Sequence, residues 1–327
     1  LLLGGAGTDD IIGFYGNDIL LGGKGNDKLD GGAGSDIIDG GADNDTVTYE
    51  LNANKVFINL NTGSAITGSD TDTLYSIENA IGGTNDDNIF GNSLANRLNG
   101  GGGNDIFMGG GGNDTIDGGN DIDTILYTDI SSGVLVDLSN NSAIYTGSFS
   151  TISNIENVTG GSGGDYLIGN SSNNILIGGG GIDTLEGGGG INTLTGGIGD
   201  DTFVFGLGGG VDTITDAEDG DKIVFDNKLV AGTVENLGEG LYQLGDVFFT
   251  KEGNNLFVTS SALSGVIING FFKSTYNPTA DYTYMGITIP ADVLPEDIGA
   301  GGIVNTTEVV DTIITAYQTF LDAIVQS

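Results

Sequence analysis

The sequence predicts an all-β fold built from very short parallel strands stacked in coils. Two observations predict it. Five consecutive nonapeptides between Gly4 and Thr48 obey one rule, G-G-x-G-x-D-x-U-x, where U is apolar. The same 45-residue pattern returns at 82–126 and at 160–204, and the block starts Gly4, Gly82 and Gly160 are 78 residues apart. Fixed periods of this kind mark solenoids, in which each repeat buries its apolar side only against its neighbours.

The register is strict. All fifteen nonapeptides begin with glycine: Gly4, Gly13, Gly22, Gly31 and Gly40; Gly82, Gly91, Gly100, Gly109 and Gly118; Gly160, Gly169, Gly178, Gly187 and Gly196. All fifteen carry an apolar eighth residue, from Ile11 to Phe203. Twelve carry aspartate at the sixth position: Asp9, Asp18, Asp27, Asp36, Asp45, Asp87, Asp105, Asp114, Asp123, Asp165, Asp183 and Asp201. Asn96, Asn174 and Asn192 are the exceptions. A glycine-rich linker does not hold an acid and an apolar residue in such register.

Each part of the nonapeptide has a physical task. The first six residues make a tight turn, which glycine permits because it tolerates positive φ. The closing x-U-x is a minimal strand with U facing inward. Two nonapeptides complete one coil, so loops n and n+2 fall on the same side. Aspartates from two such loops, with the carbonyls of their leading glycines, form a hard oxygen cage that suits Ca²⁺ better than Mg²⁺.

Same-side pairing gives seven candidate sites with two carboxylates: Asp9/Asp27, Asp27/Asp45, Asp18/Asp36, Asp87/Asp105, Asp105/Asp123, Asp165/Asp183 and Asp183/Asp201. Asn96/Asp114 has one carboxylate and Asn174/Asn192 has none, which brings the candidates to nine. Odd-numbered loops keep every aspartate. One side of the stack is therefore expected to hold calcium throughout, while the other loses it toward the C-terminus. Asp43 and Asp121 stand at the fourth position of a fifth loop, where glycine is usual. Each is either an extra carboxylate closing the last site or a solvated acid in a tolerant turn, and the second reading is preferred.

Nonapeptides such as Gly22-Gly23-Lys24-Gly25-Asn26-Asp27-Lys28-Leu29-Asp30 and Gly109-Gly110-Gly111-Gly112-Asn113-Asp114-Thr115-Ile116-Asp117 resemble the RTX (repeats-in-toxin, haemolysin-type) calcium-binding family. The resemblance covers 135 residues. It implies a right-handed parallel β-roll and a secreted or cell-surface protein of a Gram-negative-type bacterium. It also implies a C-terminal, uncleaved signal read by the type I secretion machinery.

Composition agrees with a cation-dependent fold. The chain has 327 residues, 62 of them glycine, with 45 acids against 8 bases and a net charge of −37. Such a surface repels nucleic acid and anionic membranes, and compaction needs counter-ions. With no cysteine and no histidine, disulfides, thiolate or imidazole metal sites, Ser-His-Asp and Cys-His catalysis are all excluded. Paired carboxylates recur everywhere, so they say nothing of acid–base catalysis, and the chain is not expected to be an enzyme. No run of eighteen apolar residues suggests a membrane span. Leu1-Leu2-Leu3 fits the last three positions of a preceding nonapeptide, so the sequence reads as part of something longer.

Between the blocks, 49–81 and 127–159 align with each other: Tyr49 with Tyr127, Val56–Leu60 with Val134–Leu138, and Ile77-Glu78-Asn79 with Ile155-Glu156-Asn157. They are expected to extend the stack as wider coils without the glycine–aspartate turn. Glu78 and Glu156 either reach the first loop of the next block or play a structural role beside the coil. The second loop of every block departs from the rule at position two, with Phe14, Asn92 and Asn170, which makes the 78-residue unit the true module.

After Val204 the rule fades. Residues 205–289 read as a degenerate repeat followed by antiparallel strands that cap the stack, as solenoid ends require. Residues 290–304 read as a linker. From 305 the apolar period becomes helical, with Asn305 as N-cap and Glu308 completing a capping box. The functional expectation is a module that folds on reaching extracellular calcium and supports secretion of a larger exoprotein. An adhesive, surface-layer or polysaccharide-binding module is the alternative, but it needs an aligned outward stripe. The outward residues Asp10, Ile19, Lys28, Ile37 and Thr46 vary too much for that.

Overall fold

The computed structural model describes residues 1–205, 211–217 and 221–225, together with strands Glu235–Gly238, Leu241–Leu244, Val247–Glu252, Asn255–Ser260, Gly265–Ile268, Tyr282–Tyr284 and Ile287–Ile289. Every regular element among the described residues is a β-strand. The linker expected at 290–304 and the helix expected from 305 to 327 fall outside the described residues. The chain forms two compact units, Leu1–Asp129 with Asn140–Asn157, and Ile130–Ser139 with Val158–Ser327.

In the first unit, strands eighteen residues apart pair in parallel, as two nonapeptides per coil demand. Leu2–Ala6, Ile19–Lys24 and Ile37–Ala42 build one sheet; Asp10–Ile12, Lys28–Asp30 and Thr46–Thr48 build the other. The eighth residues of the repeats face inward, and Leu20, Leu29, Ile38 and Val47 are wholly buried. All fifteen eighth residues of the chain belong to its core.

The segment 49–81 enters this stack differently from the coils around it. Val56–Asn59, Ser64–Thr67 and Asp70–Tyr75 form an antiparallel meander inside the first sheet. Its last strand pairs with the preceding coil, Ile37–Ala42, and its first strand with the following one, Asn88–Phe90. The expected wider coil is therefore a meander placed in reverse order. Asn79–Ile81 then crosses to the second sheet, between Thr46–Thr48 and Arg97–Gly101. In the second insert, Ser142–Tyr145 and Ser148–Ser153 likewise pair antiparallel.

This crossing corrects the expectation of one calcium-rich side. The insert passes once through each sheet, and five nonapeptides plus two passages is an odd number. The strands following Asp18 and Asp36 share a sheet with those following Asp87, Asp105 and Asp123, whereas those following Asp9, Asp27 and Asp45 share one with those following Asn96 and Asp114. Odd and even loops exchange sides between the first and second blocks.

In the second unit, Val134–Asp137, Tyr166–Ile168, Thr184–Glu186, Thr202–Phe205 and Lys222–Phe225 pair in parallel. Facing them, Ile175–Gly180, Ile191–Ile198 and Val211–Ile214 do the same. Gly265–Ile268 joins the edge at Val211–Ile214. From it an antiparallel run continues through Asn255–Ser260, Val247–Glu252, Leu241–Leu244 and Glu235–Gly238.

Candidate metal centre

The sixth residues of same-side loops stand in columns, and the two oxygens of each carboxylate do different things. Within a block Oδ1 accepts the backbone amide of the sixth residue one coil earlier, and in Asp87 and Asp165, which open a block, it accepts the amides of Val56 and Val134. Asp27 takes the amide of Asp9 at 2.8 Å, Asp45 that of Asp27 at 2.8 Å and Asp36 that of Asp18 at 2.7 Å. Asp105 and Asp123 repeat the contact at 2.7 Å on Asp87 and Asp105. In the second unit Asp183 and Asp201 do so on Asp165 and Asp183, at 2.7 and 2.9 Å. These bonds lock neighbouring coils in register.

Oδ2 is left over. In Asp9, Asp27, Asp36, Asp45, Asp105, Asp123 and Asp183 it is buried without a hydrogen-bond partner. An uncompensated buried carboxylate costs several kcal/mol. Burial accordingly pushes Asp105, Asp123 and Asp183 up to about 7, with neighbouring carboxylates adding to the rise. The ion pairs among the described residues, Lys28 with Glu50 and the amino terminus with Asp18, touch none of these oxygens.

What faces Oδ2 is glycine and carbonyl oxygen. A Cβ on Gly4 would stand 2.6 Å from the Gly22 carbonyl oxygen and 2.7 Å from Asp9 Oδ2. On Gly22 it would stand 2.5 Å from the Gly40 oxygen, and on Gly178 2.6 Å from the Gly196 oxygen. Any side chain at the leading position would fill the gap into which carboxylate and carbonyl both look. Two hard oxygens facing one gap are the donors a calcium ion takes. No three acidic side chains converge among the described residues, so main-chain carbonyls must supply the rest of such a cage.

The asparagine loops are self-satisfied instead. Asn96 accepts the Asn92 amide at 2.8 Å and donates to the Glu78 carbonyl at 2.7 Å. Asn174 accepts the Asn170 amide at 2.9 Å. Asn192 accepts the amide of Asn174 at 2.8 Å and donates to Asp212 Oδ1 at 2.7 Å. Three aspartates are also partly served: Asp87 and Asp165 by the amides of Gly83 and Gly161, and Asp114 by the Tyr145 hydroxyl at 3.3 Å.

Asp43 and Asp121 adopt φ of 85° and 76°, in the left-handed region that aspartate tolerates better than most residues. Their exposed carboxylates accept the amides of Gly25 and Gly103 one coil earlier, at 3.1 and 3.3 Å. The side chains of Glu78 and Glu156 serve the block behind them. They reach back, each accepting at 2.9 Å the amide of Asp45 or Asp123 in the block just ended.

Three further aspartates of these columns lie outside the nonapeptide blocks. Asp72 accepts the Asp36 amide at 2.9 Å and the Tyr49 hydroxyl at 2.8 Å, Asp212 receives Asn192, and Asp221 accepts the Asp201 amide at 2.9 Å. The signal for each is the D-x-U triplet, in Asp72-Thr73-Leu74, Asp212-Thr213-Ile214 and Asp221-Lys222-Ile223.

A family model described as RTX calcium-binding nonapeptide repeat (4 copies) matches residues 12–47, 81–116, 90–125, 153–185 and 177–212. The repeats of this chain are RTX calcium-binding repeats. RTX nonapeptides bind calcium, and the columns described above are their sixth positions. No curated protein matches the chain. Among solved structures, an extracellular lipase from Serratia marcescens is similar at 18% identity, covering 70% of this chain and 40% of the lipase chain. Its TM-score is 0.24, too low to carry an argument. The match therefore spans less than half of the length of that lipase. The RTX region itself is structural and non-catalytic.

Proposed function

We propose that this chain is the calcium-dependent folding module of a larger exoprotein, compact outside the cell and extended during type I secretion. The observation that carries the reading is the set of seven buried Oδ2 atoms without partners in a chain of net charge −37. Without counter-charge, those carboxylates oppose the fold that the Oδ1 ladder defines. Bound calcium would supply that charge and tie consecutive coils together.

The ligands in this reading are the sixth-position aspartates of same-side loops and the carbonyls of their leading glycines. Asn96, Asn174 and Asn192 contribute least, because their side-chain NH2 groups already donate to partners. Asp43 and Asp121 serve the register of the last loop. In calcium-poor cytosol the chain stays unfolded by self-repulsion, and outside, binding free energy becomes folding free energy. The module is not itself an enzyme, and its setting is the exterior of a Gram-negative-type bacterium.

Circular dichroism of the chain during a calcium titration, reversed with EGTA, tests this. The expected outcome is a coil-like spectrum without calcium and a β-sheet spectrum with it. A chain already β-rich in EGTA and unchanged by added calcium sinks the folding switch.

A further inference from the structure

The tails of the inserts copy the metal loop in shortened form. In a regular loop the leading glycine carbonyl and an aspartate five residues later present two oxygens to the coil before. At the end of the first block both positions are taken by the insert. A Cβ on Gly40 would collide with the Ser76 carbonyl oxygen, as one on Gly22 would with the Gly40 oxygen. The amide of Asp45 is accepted by Glu78 at 2.9 Å, as that of Asp27 is by Asp45 at 2.8 Å. Ser76 adopts φ of 51°, a left-handed turn. Glu78 stands only two positions after Ser76, with Ile77 alone between them, and the extra methylene of glutamate covers the missing reach.

The second block ends the same way. Asn154 has φ of 52°, its carbonyl crowds Gly118, and Glu156 accepts the Asp123 amide. At both places the last aspartate of the block, Asp45 or Asp123, is wholly buried, and its Oδ2 has no partner. That orphaned oxygen points into the gap bounded by the carbonyl, as in the regular loops.

We infer that Ser76-Ile77-Glu78 and Asn154-Ile155-Glu156 are truncated metal loops, each closing one further calcium site on the last loop of the preceding block. This rests on the calcium-binding reading above. The two sites lie beyond the aspartate pairs that the nonapeptide rule counts. A calcium ladder then ends on glutamate and not on an open carboxylate.

Calcium bound at saturation by the full chain, measured by equilibrium dialysis, tests the inference on Glu78→Gln/Glu156→Gln. Glutamine still accepts the backbone amide, so the register is kept. The expected result is two fewer ions per chain with the parental β-sheet spectrum in calcium. An unchanged count overturns the inference and leaves the calcium-binding reading standing. A parent that binds no calcium removes both. Should the double variant not fold, the parent labelled with ¹³C at its glutamate carboxylates decides. Its carboxylate stretch is expected to shift on adding calcium, and a band that stays in place overturns the inference.

Discussion

The two loop columns of the third block share one backbone and differ in one atom. Along one column run Asp165, Asp183 and Asp201; along the other run Asn174, Asn192 and Asp212. Both keep the coil-to-coil ladder, through Asp183 on the Asp165 amide at 2.7 Å and Asn192 on the Asn174 amide at 2.8 Å. They part at the second polar atom of the side chain. Asp183 Oδ2 is buried without a partner, whereas the Asn192 amide donates to Asp212 and to the Gly189 carbonyl. Register is therefore the work of Oδ1, and the demand for a cation is the work of Oδ2.

The largest effect is expected from turning the first column into the second. Asp183→Asn keeps Oδ1 and replaces the orphaned oxygen with a donor. Asp183 is shared by two same-side pairs, so two calcium ions per chain should be lost or weakened. The calcium midpoint of folding should rise about tenfold or more, about 1.4 kcal/mol or above. A calcium titration followed by circular dichroism, with an ion count at saturation, checks both. A midpoint unmoved by this substitution would break the distinction between the columns.

The reverse exchange is smaller. Asn174→Asp/Asn192→Asp gives the second column two carboxylates and sets one of them against Asp212, which burial already pushes up to about 6. One additional ion per chain is expected, and a steeper calcium dependence. Equilibrium dialysis reads the count. A variant that folds at the parental midpoint and binds no further ion would mean that backbone carbonyls, not carboxylates, set occupancy.

The smallest effect concerns protons standing in for calcium. Asp183 is pushed up to about 7 in the folded chain, above its ordinary value of 3.8. A group raised on folding favours the compact state below its unfolded value and loses that contribution as pH rises through the folded one. In EGTA, residual β-structure should be greatest near pH 4 and decline toward pH 8. Asp183→Asn should flatten that profile. Circular dichroism in EGTA across this range is the measurement.

Much of this was legible in the nonapeptide. The apolar eighth residue lies within a core strand in every nonapeptide of the blocks, and Leu167, Leu185 and Leu194 are wholly buried as it requires. The antiparallel strands around Val247–Glu252 and Asn255–Ser260 were legible from alternation and turn chemistry. Side assignment was not, because it depends on how often an insert crosses between sheets, and Val56–Asn59 carries no mark of its reversed place in the meander. Asp72 was hidden for another reason, and Asp212 and Asp221 were legible only as part of a degenerate repeat. Their D-x-U triplets lack the full glycine turn, so the local signal is diluted although the long-range partner is the same. Glu78 was legible as a participant, but its direction depends on the turn at Ser76.

The odd number of sheet crossings per 78-residue module gives the chain a kind of reading frame. Inserting or deleting one nonapeptide would move every later loop to the opposite edge, opposite a neighbour it does not match. Inserting or deleting eighteen residues would leave each loop stacked where it was. Length can therefore change silently only in whole coils, and a nine-residue slip acts in three dimensions as a frameshift does in a gene.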